Sequence, residues 1–262
     1  YWMLKIHRKI MDEMRKLGRE YELLINVVSP EQYDHYKEFL VELAKDVGKP
    51  ILISIYPSSG LNYYWTVNIE YVIIDKLNRP KEIGTVQIDV GNAMRFGIKY
   101  VDESGEEKYP AILHTAIIGG IERYIYALFD TALRLEKPML PVWISPVQVR
   151  VIPVKSQYID YALKVADEIE ARGYRVDVDD TNRSLSRKIV DAEKEWIPYI
   201  AVVGESELKN KTLNVRFRSS GEQKVLSVNE LIDVLETETD GYPKKPRYFP
   251  RLLSKRPKFM HY

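Results

Sequence analysis

The sequence contains no cysteine and only four histidines in 262 residues. That absence excludes disulfides, thiolate nucleophiles and cysteine-based metal clusters, and it suits a reducing compartment; a cytoplasmic location is expected. No run approaches the roughly 18 apolar residues of a membrane span, and no leader-like segment opens the chain, so no membrane is expected as a partner. An excess of one charge is lacking too. With 39 basic and 38 acidic residues the formal net charge is +1. The total therefore does not announce a nucleic-acid partner, although a basic surface can hide within a balanced sum.

What is present is enough for two domains with sizeable cores, at 45% hydrophobic and 29% charged residues. Residues 1–137 read as a first domain. Its helices fall at 4–17 and 31–46, and its strands at 21–28, 51–56, 64–74, 81–90 and 96–102, an antiparallel sheet with helices against it. Asp102-Glu103-Ser104-Gly105 is a turn signal. A helix over 117–135 carries Ile121, Tyr124, Ile125, Leu128, Phe129, Ala132 and Leu135 at helical spacing, a stripe expected to pack on the sheet. Pro138 and Pro141 mark a linker over 138–141. Residues 142–240 alternate strand and helix, which predicts an α/β domain with a mostly parallel sheet. Ser156 reads as a helix start and Gly173 as a helix stop. Residues 241–262 form a basic tail.

Several polar residues interrupt these patterns. Gln87 faces opposite to Val86 and Ile88 on a strand. His114 sits in the apolar run Ala111-Ile112-Leu113, and Gly119-Gly120-Ile121-Glu122-Arg123 opens a helix. Taken singly, each has an ordinary reading: a solvent-facing glutamine, a hydrogen-bonded core histidine, an Arg123 ion pair with Glu122 or Asp89. Glu207 and Arg216 likewise read as a cross-strand ion pair.

Taken together the islands carry a resemblance. The stretch from Gly84 to Tyr124 resembles the last third of the class II threonyl-tRNA synthetase catalytic domain, ending in that class's third signature motif around Arg123. The spacings, 27 residues from Gln87 to His114 and nine from His114 to Arg123, fit without a gap. From about Pro141 the chain is similar to the anticodon-binding domain of the same enzymes. The closing PRLLSKRPKF and the segment KPILISIYPSSGLNYYWTVNIEYVIID are similar to the archaeal branch.

The resemblance implies a partial class II antiparallel sheet with helices, followed by an α/β anticodon-binding domain. It implies a part in ATP-dependent charging of tRNA(Thr) with threonine, with ATP and magnesium as cofactors of the intact enzyme. Gln87 and Arg123 match ATP or adenylate contacts; Asn182, Glu207 and Arg216 match positions that read the anticodon. The spacing of nine from Glu207 to Arg216 is kept as well.

His114 matches one of three zinc ligands, a cysteine and two histidines. His7, His35 and His261 do not occupy the other positions, so zinc is not expected in this chain alone. Asn68 stands where the family has lysine, and Gly120 where serine is common. The first two class motifs have no counterpart, and the chain by itself is not expected to form adenylate. A homodimer suits the family, but no dimer surface is identifiable. Two alternatives stay open: the tRNA-binding half of a trans-editing protein that hydrolyses seryl-tRNA(Thr), and a non-catalytic RNA-binding module. After Asp240 the tail has basic residues among aromatics and no acid, the composition of an arm that contacts RNA phosphates.

Overall fold

The computed structural model describes residues 1–57 and 63–257; His261, Phe259 and Lys258, noted above, lie outside them. The chain forms two compact units, Tyr1–Arg134 and Leu135–Tyr262.

The first unit begins with helix α1 (Trp2–Leu17), whose buried Met3, His7, Ile10, Met14 and Leu17 recur at helical spacing. Gly18, in the left-handed region at φ 68°, ends it. After β1 (Glu22–Val27), the Ser29 hydroxyl accepts from Gln32 N at 3.2 Å and Pro30 starts α2 (Pro30–Val47). Strands β2 (Leu52–Ile55), β3 (Trp65–Ile74) and β4 (Pro80–Asp89) follow, then the short helix α3 (Asn92–Phe96). Hairpin strands β5 (Tyr100–Val101) and β6 (Glu107–Lys108), β7 (Ile112–Ala116) and α4 (Ile121–Ala132) complete the unit.

The main sheet runs β2-β1-β3-β4-β7, antiparallel except for the β1–β2 pair. Because side chains alternate, one face is apolar. Leu23, Ile25, Val67, Ile69, Val86 and Ile88 pack there with residues of α1 and α2.

Two local expectations are corrected. Residues 96–102 do not make a strand: the Asp89 carboxylate accepts from Gly91 N and Asn92 N, which starts α3, and only Tyr100–Val101 remains extended in a hairpin. The helix over 117–135 is shorter, and its apolar stripe does not all pack inward. Leu128 and Ala132 are buried, whereas Ile121, Ile125, Phe129 and Leu135 are exposed. The helix turns its Ala127–Asp130–Ala132 side inward because Asp130 is drawn in by Arg19, by Arg134 and by Lys76 N.

The second unit contains β8 (Val149–Pro153), a 3-10 turn at Ser156–Tyr158, α5 (Ile159–Ala171), β9 (Val176–Val178) and α6 (Leu185–Lys194). Then come β10 (Tyr199–Val203), α7 (Glu205–Asn210), β11 (Leu213–Phe217), β12 (Gln223–Leu226) and α8 (Val228–Glu238). The sheet order is β12-β11-β10-β8-β9. Three strands are parallel, as crossovers through α5 and α6 require, and the β11–β12 hairpin is antiparallel, so the sheet is evenly mixed rather than mostly parallel. Val149, Val151, Ala201, Val203, Leu213 and Val215 face a core closed by α5 and α8. The opposite face has a smaller core of Ile152, Ile200, Ala192 and Ile197 beneath α6. Pro138, from the linker stretch, belongs with this unit through its carbonyl, which accepts from Arg218 Nε at 2.7 Å.

Among the described residues, no helix is long and apolar enough to cross a membrane.

Candidate functional site

The side of the first sheet opposite the apolar core carries a polar row that crosses all five strands, with Asn26 and Asn68 buried. Strand pairing aligns Ser54, Asn26, Asn68, Gln87 and His114 in register, and paired residues share a face. Asn68 is the hub. Its amide donates to Glu70 Oε1 at 2.9 Å, and its carbonyl accepts from Thr85 Oγ1 at 2.9 Å and Gln87 Nε2 at 3.1 Å. Asn26 Nδ2 also donates to Glu70 Oε1, at 3.0 Å, and the Tyr64 hydroxyl donates to Gln87 Oε1 at 2.8 Å. Burial, then the nearby Glu82 charge, push the Glu70 carboxyl above its ordinary range.

His114 Nε2 lies 2.7 Å from Asp89 Oδ2, and its ring meets Tyr64 edge-on at 5.6 Å. Burial raises Asp89, but hydrogen bonds from Asn92, His114 and Gly91 outweigh it and hold the carboxyl below its ordinary value. An ionised carboxylate only accepts, so Nε2 carries the proton in the bond to Asp89. Asp89 and His114 are only two candidate donors, and the described residues contain no group of three His, Cys, Asp or Glu able to hold a metal. These residues do not fit a zinc site by themselves.

Arg123, in the first turn of α4, donates to Glu82 O at 2.9 Å and lies 3.6 Å from Glu82 Oε2. Its partner is thus Glu82 on β4, not Glu122 or Asp89. It makes no hydrogen bond to the Gln87–His114 row.

In the second unit another register row, Asp177–Arg150–Ile200–Arg216–Gln223, crosses the sheet on the α6 side. Arg150 is fully buried and doubly paired. It reaches Asp177 at 2.9 and 2.8 Å and Glu195 at 2.9 and 2.6 Å. Arg256 adds a second cation, 2.5 Å from Asp177. The side chain of Arg216, half-buried, has neither an ion pair nor a hydrogen bond among the described residues. It lines a cavity of about 580 Å³ with Lys137, Lys194, Trp196, Ile200 and Phe217.

The Glu207–Arg216 ion pair does not form. Glu207 stands at the third position of α7, where its carboxylate accepts from Gly204 N at 2.9 Å. Asn182 is exposed in the turn after β9. Asn182 and Glu207 thus follow the carboxyl ends of two parallel strands, β9 and β10, that have β8 between them, while Arg216 lies toward the other end of β10, opposite Ile200. No residue pattern signals Trp196 beside Arg216; that proximity depends on the turn after α6, where Trp196 takes φ 57°.

The tail is not the free basic arm its composition implies. Arg247 and Arg251 pair with Glu170, and Arg251 also with Asp167 at 2.5 Å. Lys244 Nζ donates to Arg172 O at 3.1 Å and sits 4.4 Å over the Tyr174 ring. Most of its cations are committed to their own unit.

Two family models match the chain. Residues 4–132 match the class II core domain of tRNA synthetases for G, H, P, S and T, and residues 148–238 match the anticodon binding domain. The threonine--tRNA ligase of Nanoarchaeum equitans is 55% identical over 254 residues, 97% of this chain and 40% of the relative. That of Staphylothermus marinus is 53% identical, over 96% of this chain and 41% of the relative. The chain is of threonyl-tRNA synthetase type, a class II core fragment followed by an anticodon-binding domain. It spans about two fifths of the length of these curated relatives. A crystal structure of the RNA binding domain of threonyl-tRNA synthetase from Cryptosporidium parvum matches with TM-score 0.75 at 26% identity, over 92% of this chain and 60% of that one. A threonyl-tRNA synthetase structure from Aeropyrum pernix, at 20% identity and TM-score 0.68, shares the fold over 93% of this chain and 61% of its own. The synthetase reading makes the polar row part of a class II core fragment and places Arg216 in the anticodon-binding domain.

Proposed function

We propose that this chain binds tRNA(Thr) through its second unit as part of a threonine–tRNA ligase that charges tRNA with threonine, using ATP and magnesium. The observation that carries the proposal is the unpaired Arg216 guanidinium beside a cavity with an aromatic wall. Single-stranded loop bases are read by hydrogen bonds to their exposed edges and by stacking on flat side chains. A guanidinium with all its donors available suits the acceptor edge of a base. Asn182 offers an amide and Glu207 a second carboxylate oxygen toward the same loop. In this reading residues 142–240 are the anticodon domain, 138–141 the linker and 1–137 the core portion, working in the cytoplasm.

In the first unit, Gln87, Asn68 and Glu70 form a prearranged polar floor. A floor whose donors and acceptors already hold one another keeps fixed positions for a polar ligand, here the adenylate with its amino acid. Arg123, tethered at the edge by Glu82, is the cation for the nucleotide. His114 by itself does not complete a zinc site, so no zinc is assigned to this chain alone. The test is binding of tRNA(Thr) against the same tRNA with a changed anticodon: preference for the first supports the proposal, and equal affinity refutes it.

A further inference from the structure

The second unit contains a device that the anticodon reading does not use. The turn of residues 179–184, which carries Asn182, is held from two sides. From within, Asp179 Oδ1 accepts from Thr181 N at 3.1 Å and from Thr181 Oγ1 at 2.6 Å, and buried Lys188 donates to Asp179 O at 2.9 Å. From outside, the C-terminal segment lies against it. Val178 N donates to Arg251 O at 3.0 Å, and Val178 and Leu252 form a parallel bridge beside β9. Ser254 N and Oγ then reach the two oxygens of Asp180, at 2.9 and 2.5 Å.

The segment is anchored on both sides of that contact. Leu252 packs on one core and Phe249 on the other, while Arg251 grips α5 and Arg256 grips Asp177. Arg256 also stacks 4.4 Å over Phe249. A two-point bond from a chain so anchored restrains the backbone of the turn, which otherwise has one exposed side. Asn182 itself is exposed, two residues from Asp180. Its orientation therefore depends on a restraint supplied from about 70 residues further along the chain.

We propose that Ser254, by holding Asp180, is a positioning residue for Asn182, and that residues 249–256 act as a strap that pre-orders the turn before RNA binds. The inference rests on the reading of Asn182 as an anticodon contact. A pre-ordered turn spends less of its binding energy on ordering, so the strap raises both affinity and selectivity.

The test uses the full 262-residue chain with Ser254→Ala, Ser254→Thr, Asn182→Ala and the Ser254→Ala/Asn182→Ala double variant. Hydrogen exchange of the 181–183 amides is measured alongside binding of tRNA(Thr) and an anticodon-changed tRNA. Ser254→Ala is expected to speed exchange and lower the anticodon preference roughly three- to tenfold, the size of one hydrogen bond. The thermal midpoint stays near the parent's, Ser254→Thr restores both properties, and the double variant loses no more preference than Asn182→Ala. Unchanged exchange or unchanged preference in Ser254→Ala overturns the strap even where Asn182→Ala lowers the preference. Unchanged preference in Asn182→Ala shows instead that the Asn182 reading is at fault, and the strap's role falls with it.

Discussion

Arg216 and Arg150 stand in one register row, separated by Ile200 alone, yet Arg150 is neutralised by two carboxylates and Arg216 by none. Two interstrand spacings, about 10 Å, part the two guanidinium-bearing positions. The sheet thus holds a structural arginine and an uncommitted one side by side.

Their substitutions should differ accordingly. Arg150→Ala leaves Asp177 buried with only Arg256 against it, and should cost roughly 3–5 kcal/mol. Arg216→Ala removes no partner and should stay within about 1 kcal/mol of the parent. Urea unfolding of the two variants checks this; equal losses would mean that Arg216 has a structural partner.

His7 gives the first unit an acid sensitivity. Its Nδ1 meets the Tyr71 hydroxyl at 2.6 Å, it is fully buried, and burial lowers its pKa from 6.5 to about 4. The folded pKa lies below the unfolded one, so the contribution is intact above pH 6.5 and is lost as pH falls toward 4. Between pH 7 and 5 this amounts to about 2 kcal/mol. His7→Gln keeps a partner for Tyr71 without titrating, and should unfold with a correspondingly flatter pH dependence. An unchanged slope would assign the acid sensitivity to other groups.

Much of this was legible in advance. Period-two alternation sets Gln87 opposite Val86 and Ile88, and Gly173, at φ 85°, follows the end of α5 as a helix stop. What alternation does not contain is the partner. That Asn68 holds Glu70, Thr85 and Gln87 follows from register between strands, and register emerges only when the apolar face is packed. Glu207 illustrates the opposite case: a carboxylate three residues after Gly204 is a helix-start pattern, and that local bond prevails over the more distant Arg216. The tail's composition reads as RNA-binding because a sequence does not place Asp167 and Glu170 beside Arg251.

Those pairs change what the tail does in salt. Arg251→Ala should destabilise the second unit and leave the salt dependence of tRNA binding alone, since that cation is already paired. Lys245, exposed and without a side-chain partner among the described residues, is the better phosphate contact. Lys245→Ala should reduce the log–log salt slope by about 0.7–1 if the contact is made. Binding isotherms at several salt concentrations measure both, and a lowered slope in Arg251→Ala would argue that its ion pairs open on RNA.

The most direct test of the account is the free-energy difference between binding tRNA(Thr) and an anticodon-changed tRNA, measured for the parent and Arg216→Ala at two salt concentrations. The account predicts that Arg216→Ala loses roughly 1–3 kcal/mol on tRNA(Thr) and much less on the changed tRNA, with an unaltered salt slope. A preference that survives Arg216→Ala intact would contradict it.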